Sequence, residues 1–246
     1  MVSPTVAVLH SCIPCPTPLR QPTSFLEVLH SYGNGCNLWE DLVVDGDGKW
    51  LQQGLIAQTL VTAHDGSFMP LDANDLCSAG VIIYCTSSKF TLRASAAEQS
   101  NAASNYRGEL LGAVMSMLIL RAASSGIDPP YPETRLYCDN RGVIIHGNSP
   151  YTALPEKQNQ ADLIRHLKYL TGTAKCKAKW EWVEGHAVER KGVRQCSLPE
   201  RLNDIADKLA KRALVNAIAG GRVINGEFPL ESVIIIVSNV RISGSP

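Results

Sequence analysis

Thr59-Leu60-Val61-Thr62-Ala63-His64-Asp65-Gly66-Ser67 opens with an apolar, β-branched run and closes on residues that favour turns. It reads as a strand over residues 59–63 followed by a turn, with Asp65 at the strand's end. Two further strands follow at 79–86 and 90–94, joined by Ser87-Ser88-Lys89. The period then changes. Leu110, Val114, Met117, Leu118 and Arg121 recur at three- and four-residue steps and Gly126 lies just beyond them, which predicts a helix over 105–124. A strand at 134–138, an amphipathic helix at 156–170, an alternating strand at 175–183 and a helix at 202–217 complete the pattern. Strands alternating with helices in this order predict an α/β fold, a mixed sheet covered by helices.

The flanking sequence is of a different kind. Residues 1–24 carry Pro4, Pro14, Pro16, Pro18 and Pro22, which reads as a tail. Two helix-like pieces follow at 25–31 and 49–58, separated by Asp45-Gly46-Asp47-Gly48. That DxDG fragment lacks the Glu that would complete a calcium loop and reads as a turn. The expected organisation is a tail and short helical extension over 1–57, an α/β domain over 58–220 and a C-terminal extension over 221–246. The extension contains one strand-like segment, Val233-Ile234-Ile235-Ile236-Val237, with no obvious partner.

Composition narrows the function classes. The chain has 246 residues, 45% of them hydrophobic, enough for a sizeable core. No run approaches the ~20 apolar residues that would span a bilayer. The 23 Lys+Arg balance 23 Asp+Glu, which argues against a strongly basic nucleic-acid binder. The balance hides an asymmetry, because acids predominate up to residue 155 and bases over 156–213. The eight cysteines are scattered, and Cys12-Ile13-Pro14-Cys15 has no second half of a zinc site. A reducing, intracellular compartment is expected, without secretion.

Four acids stand out by position. Asp65 and Asp139 are placed at strand ends, Glu109 sits in the first long helix between apolar residues, and Asp207 lies on the last helix, on the face shared with Asn203. Each alone has an ordinary reading as a turn, a cap or a solvated charge. Together they suit a hard cation, since Mg²⁺ and Mn²⁺ take oxygen ligands and often bind through a few carboxylates plus substrate phosphate. Asp204 competes with Asp207 for the fourth place. Spacing from Asn203 favours Asp207 and leaves Asp204 as an i,i+4 partner of Lys208.

The sequence resembles ribonuclease H of the cellular and retroelement type over about residues 59–217. Asp65-Gly66-Ser67 is similar to that family's first-strand Asp-Gly-Ser, and Ser104-Asn105-Tyr106-Arg107-Gly108-Glu109 to the start of its first helix. Tyr137-Cys138-Asp139-Asn140 resembles its Thr-Asp-Ser strand end. Lys179-Trp180-Glu181-Trp182-Val183-Glu184-Gly185-His186-Ala187 is similar to its Trp-x-x-Val-Lys-Gly-His-Ala segment, and Asn203-x-x-x-Asp207-x-Leu209-Ala210 to its last helix. The resemblance implies a ribonuclease H-like fold, a five-stranded mixed sheet flanked by helices. It implies that Asp65, Glu109, Asp139 and Asp207 bind two Mg²⁺ ions, with Mn²⁺ as a substitute, about 4 Å apart across a scissile phosphate. His186 would move protons or aid product release. Ser104, Asn105 and Asn203 would be substrate-binding, Ser104 and Asn105 at positions that contact the DNA-strand phosphate and the RNA 2′-hydroxyls. The implied reaction hydrolyses the RNA strand of RNA–DNA hybrids, leaving 5′-phosphate and 3′-hydroxyl ends.

Departures accompany the resemblance. No basic, Trp-rich insertion lies between Asp139 and the helix at 156–170, residues 188–202 lengthen the loop after His186, and residues 68–78 form an unusual loop. Lys175, Lys177 and Lys179 share one strand face, suited equally to phosphate and to plain solvent, while Trp180 and Trp182 on the other face are expected in the core. Few phosphate contacts predict weak hybrid binding. The missing grip, the proline-rich start and the extra strand suggest a retrotransposon-derived piece, with a reverse transcriptase or other polyprotein domains as partners and no membrane. The alternative is a catalytically silent ribonuclease H-like module that binds nucleic acid or serves a structural role.

Overall fold

The computed structural model describes residues 8–11, 24–32, 36–71, 75–149, 158–224, 233–237 and 240–241. Apart from strand β1 (Val8–Ser11), treated below, the chain first forms helix α1 (Phe25–Ser31), edge strand β2 (Val43–Val44) and helix α2 (Lys49–Ile56). A long meander follows: β3 (Leu60–Met69), β4 (Leu76–Cys85) and β5 (Thr91–Gln99). Helix α3 (Asn105–Ala123), strand β6 (Glu133–Cys138), helices α4 (Arg141–Asn148) and α5 (Ala161–Thr173) and strand β7 (Lys177–Trp182) come next. Helices α6 (Ala187–Lys191) and α7 (Leu198–Ile218) close this part of the chain.

The main sheet has the order β2-β5-β4-β3-β6-β7. The meander is antiparallel, and β6 and β7 add in parallel to its β3 side. The fold is α/β with a mixed sheet, and the five expected strands are present. The count rises to six because Val43 and Val44 pair with Arg93 and Leu92 on β5, an edge that the Asp-Gly turn beside them delivers.

Helices cover both faces, and strand alternation decides what each meets. On one face Ala63 and Ile82 pack with Leu202 and Ala206 of α7. On the other, Ala79, Val81 and Ile83 pack into the main core with Leu110, Val114, Met117 and Leu118 of α3. α3 is buried almost all round, from Arg107 to Leu120 without a break, because α1, α2 and α5 pack its outer side. Its i,i+3/i+4 apolar stripe shows only the part that faces the sheet.

Several expectations change. The turn at Asp65-Gly66-Ser67 is continuous strand, paired residue for residue with Gly80, Ala79 and Ser78, so Asp65 lies mid-strand. Residues 68–78 are mostly strand as well. β3 runs to Met69 and β4 resumes at Leu76. Residues 188–202 are not an open loop: they form most of α6, a 3₁₀ turn over Val193–Gln195 and the start of α7, whose first turn Ser197 and Glu200 close with a capping box. Trp180 is buried, but Trp182, the last residue of β7, is 49% exposed, with Arg141 of α4 over its ring. α5 begins at Ala161, and residues 150–157 lie outside the described set. So do Cys12 and Cys15.

The strand-like 233–237 segment does find partners. β8 (Val233–Val237) pairs antiparallel with β1 (Val8–Ser11) and with β9 (Val240–Arg241) in a separate three-stranded sheet. β1 fits in the proline-free interval between Pro4 and Pro14, where every residue can donate to a ladder.

Candidate active site

The site is assembled where β3, α3, β6 and α7 converge. Gly66 of β3 lies against the first turns of α3, and a Cβ there would collide with the Glu109 backbone amide. Gly108 likewise sits on Ser78 and Ser67, with an added Cβ 2.6 Å from the Ser78 carbonyl. These two glycines let strand and helix touch through their backbones, which carries Glu109 to Asp65. Asp65 points to the α7 face, opposite its neighbour Gly66. There its Oδ2 accepts a hydrogen bond from Asn203 Nδ2 at 3.1 Å, and its Oδ1 accepts from the Gly66 amide at 2.7 Å.

Asp139 follows the last residue of β6. Its carbonyl accepts from Trp182 Nε1 at 3.0 Å, and the turn at Gly185 presses on its side chain so closely that a Cβ at Gly185 would collide with the carboxylate. Asn140 caps α4, its Oδ1 accepting from the amides of Gly142 and Val143. Oxygens of Asp65, Glu109 and Asp139 lie within 4.8 Å of one another. With Asp207, His186 and Asn105 they line one cleft of about 340 Å³, with Asn140 and Lys211 on its wall.

The cluster is electrostatically costly by itself. Burial first, then the charges of Asp139 and Asp207, push the Asp65 carboxyl up to about 8. Burial and the neighbouring Asp65 and Asp139 hold Glu109 well above the usual carboxylate range. Burial also raises Asp139, and His186 opposes that shift. Glu109 Oε2 is buried with no hydrogen-bond partner. Crowded carboxylates, one with an unmet buried oxygen, fit a divalent cation, which would supply the missing positive charge.

The other expected residues occupy distinct positions. His186 takes a left-handed backbone at φ 53° on the turn before α6, more than half exposed, with Nδ1 3.7 Å from Glu189. Asn105 reaches the cleft, whereas the Ser104 hydroxyl caps α3 by accepting from the Arg107 amide at 3.0 Å and is not among the cleft-lining residues. Asn203 is buried against Asp65. Asp204 pairs with Lys208 at 2.8 Å, as its spacing implied.

Sequence reading missed three contributors. Arg107 is fully buried and holds Glu98 through two bonds of 2.7 Å, Gln160 at 2.7 Å and Asp162 at 3.0 Å, tying β5 and the start of α5 to the turn of α3 that carries Glu109. Gly185 makes room for Asp139. Lys211 binds Asp207 Oδ2 at 2.8 Å. Arg107 lay within a quoted motif, but nothing local shows that its partners come from residues 98, 160 and 162.

No protein-family model and no curated protein matches the sequence. Among solved structures, the chain is similar to a ribonuclease H1 isolated from compost by a metagenomic approach, at 13% identity and a TM-score of 0.47, over 65% of this chain and 99% of that one. It is also similar to the N-terminal ribonuclease H domain of a Mycobacterium tuberculosis protein, at 16% identity and 0.43, over 65% and 98%. A third similarity is to the prototype foamy virus protease–reverse transcriptase, at 13% and 0.46, over 63% of this chain and 20% of that one. No described helix is long and apolar enough to cross a membrane.

Proposed function

We propose that the chain is a divalent-metal-dependent endonuclease of the ribonuclease H type that hydrolyses the RNA strand of RNA–DNA hybrids. One observation carries this reading: Asp65, Glu109 and Asp139, from three separate elements, bring their oxygens within 4.8 Å at the floor of an open cleft. Asp65, Glu109, Asp139 and Asp207 would hold two Mg²⁺ ions, or Mn²⁺ in their place. When bound, these ions supply an activated water and charge stabilisation for the leaving oxygen.

The chain's own groups do the rest. Asn203 orients Asp65 by donating to Oδ2. The Gly185 turn fixes the Asp139 carboxylate. Asn105, on the cleft wall, offers an amide to a 2′-hydroxyl, the group that separates RNA from DNA. His186, exposed beside the cleft, would pass a proton to the departing 3′ oxygen. Ser104 serves the substrate through the helix start that it caps. The free, buried cysteines among the described residues accord with an intracellular setting, and a polyprotein of retroelement origin remains the proposed context.

One feature favours the silent-module alternative: Lys211 already neutralises Asp207. Incubation with end-labelled RNA–DNA hybrid, duplex DNA and duplex RNA in Mg²⁺ separates the readings. The proposal requires cleavage of the RNA strand of the hybrid alone, leaving 5′-phosphate and 3′-hydroxyl ends. Equal cutting of duplex DNA contradicts the RNA selectivity, and binding without cutting supports the silent module.

A further inference from the structure

We propose that Lys211 is a resident cation that competes with a metal ion for Asp207, so that the two metal positions of the cleft fill at different concentrations. This rests on reading the cleft as a divalent-metal site. The four acids are unequal in the structure. Asp65, Glu109 and Asp139 form the compact cluster, and the hydrogen bonds described to Asp65 come from neutral donors, the Gly66 amide and Asn203. Asp207 stands outside that three-way group, and its Oδ2 is held by Lys211 Nζ at 2.8 Å.

Lys211 is one turn along α7 from Asp207, and it lines the same cleft. Its side chain is 53% exposed, so the ammonium can swing to water while the stem stays in place. A half-exposed i,i+4 pair is a weak interaction, enough to disfavour a metal ion at Asp207 and too little to exclude one. Among the described residues no Lys or Arg is ion-paired with Asp65, Glu109 or Asp139, so that cluster fills first. The position that needs Asp207 fills only when the metal concentration is high enough to displace the ammonium. Lys211 thereby sets the metal threshold for a two-metal reaction. Lys208 supplies a built-in control, since it makes the same contact with Asp204 at 2.8 Å on the exposed side of α7, with 68% of its side chain accessible.

Calorimetric titration of the full chain with Mn²⁺ tests this without reference to activity. The wild type should show a tight and a weak class of site. Lys211→Met should tighten the weak class by roughly fivefold to tenfold, the lower range of ordinary coupling between sites, and leave the tight class unchanged. Lys211→Arg keeps the cation and should behave as wild type, as should Lys208→Met. An unaltered weak class in Lys211→Met, equal tightening of both classes, or the same gain in Lys208→Met overturns the proposal. Absence of Mn²⁺ binding in the wild type, or binding undiminished by Asp139→Asn, overturns the metal-site reading and this proposal together. Binding that Asp139→Asn abolishes and Lys211→Met leaves untouched overturns this proposal alone.

Discussion

Asp65 makes the metal-free cleft pH-sensitive. Its carboxyl titrates near 8 in the folded chain and at about 3.9 when unfolded, so across that interval the folded state holds a proton that the unfolded state has lost. Metal-free stability therefore falls as pH rises towards 8, and Glu109, shifted the same way, adds to the slope. Buried His64 acts oppositely at lower pH. Burial depresses it to about 3, so the unfolded state gains a proton below about pH 6.5 and stability falls with acid there. Urea unfolding in EDTA should show stability declining between about pH 6.5 and pH 8.5, above the histidine window. A flat or rising profile contradicts the crowded-carboxylate account. Gly185→Ala probes the same cluster by volume, because the new methyl must displace the Asp139 carboxylate. Cleavage of a labelled hybrid should fall by roughly tenfold to a hundredfold, as for a misplaced catalytic group. Wild-type rates would remove Gly185 from the site. At this scale the acids drew attention in the sequence by place, Asp65 and Asp139 at strand ends, Glu109 among apolar residues and Asp207 by its spacing from Asn203, and the structure brings the first three together. Gly185 and Lys211 were not, since a close approach and a cross-turn contact with a metal ligand have no local signature.

Among the elements, α3 depends most on partners distant in sequence. Glu109 directly follows its first turn, and Arg107, fully buried, ties that end of the helix to Glu98, Gln160 and Asp162. Arg107→Met would leave two acids without their cation, and removing one partner of a buried pair costs about 3–5 kcal/mol. The denaturation midpoint should drop accordingly, and a loss below about 1 kcal/mol would show that the network is solvated and weak. Most elements were readable from period and caps: α3, α7 and the strands β4, β6 and β7 appear near their expected bounds. The failures have one cause. Gly66 and Ser67 prefer turns locally, but ladder pairing with Ala79 and Ser78 and contact with α3 hold them extended. Residues 188–202 looked like a loop because their helix is short and is anchored from outside, by Lys191 bridging Glu184 and Glu200.

For the whole molecule, zero net charge separates into parts with different roles. Some of the acid excess is the cleft, and part of the basic segment is engaged in ion pairs: Lys179 with Glu181, Arg190 with Glu184, Lys191 with Glu184 and Glu200, Lys208 with Asp204. Among the described residues that line the cleft the one Lys or Arg is Lys211, itself paired with Asp207, so hybrid binding should be weak and salt-sensitive. For the Asp139→Asn chain, affinity measured by anisotropy should fall at least about tenfold between about 50 and 200 mM salt, and nanomolar binding at physiological salt would contradict this. The mixed sheet was legible as a whole. The pairing of β1 with β8, more than two hundred residues apart in the chain, was not, because neither strand signals its partner. Hydrolysis of RNA by the carboxylate cluster through bound metal is probed by comparing wild type with Asp139→Asn on a labelled RNA–DNA hybrid, in Mg²⁺ and in EDTA. Cleavage is expected from the wild type in Mg²⁺ only, with at least about a hundredfold loss in the variant. Equal cleavage by both proteins, or cleavage that persists in EDTA, would contradict it.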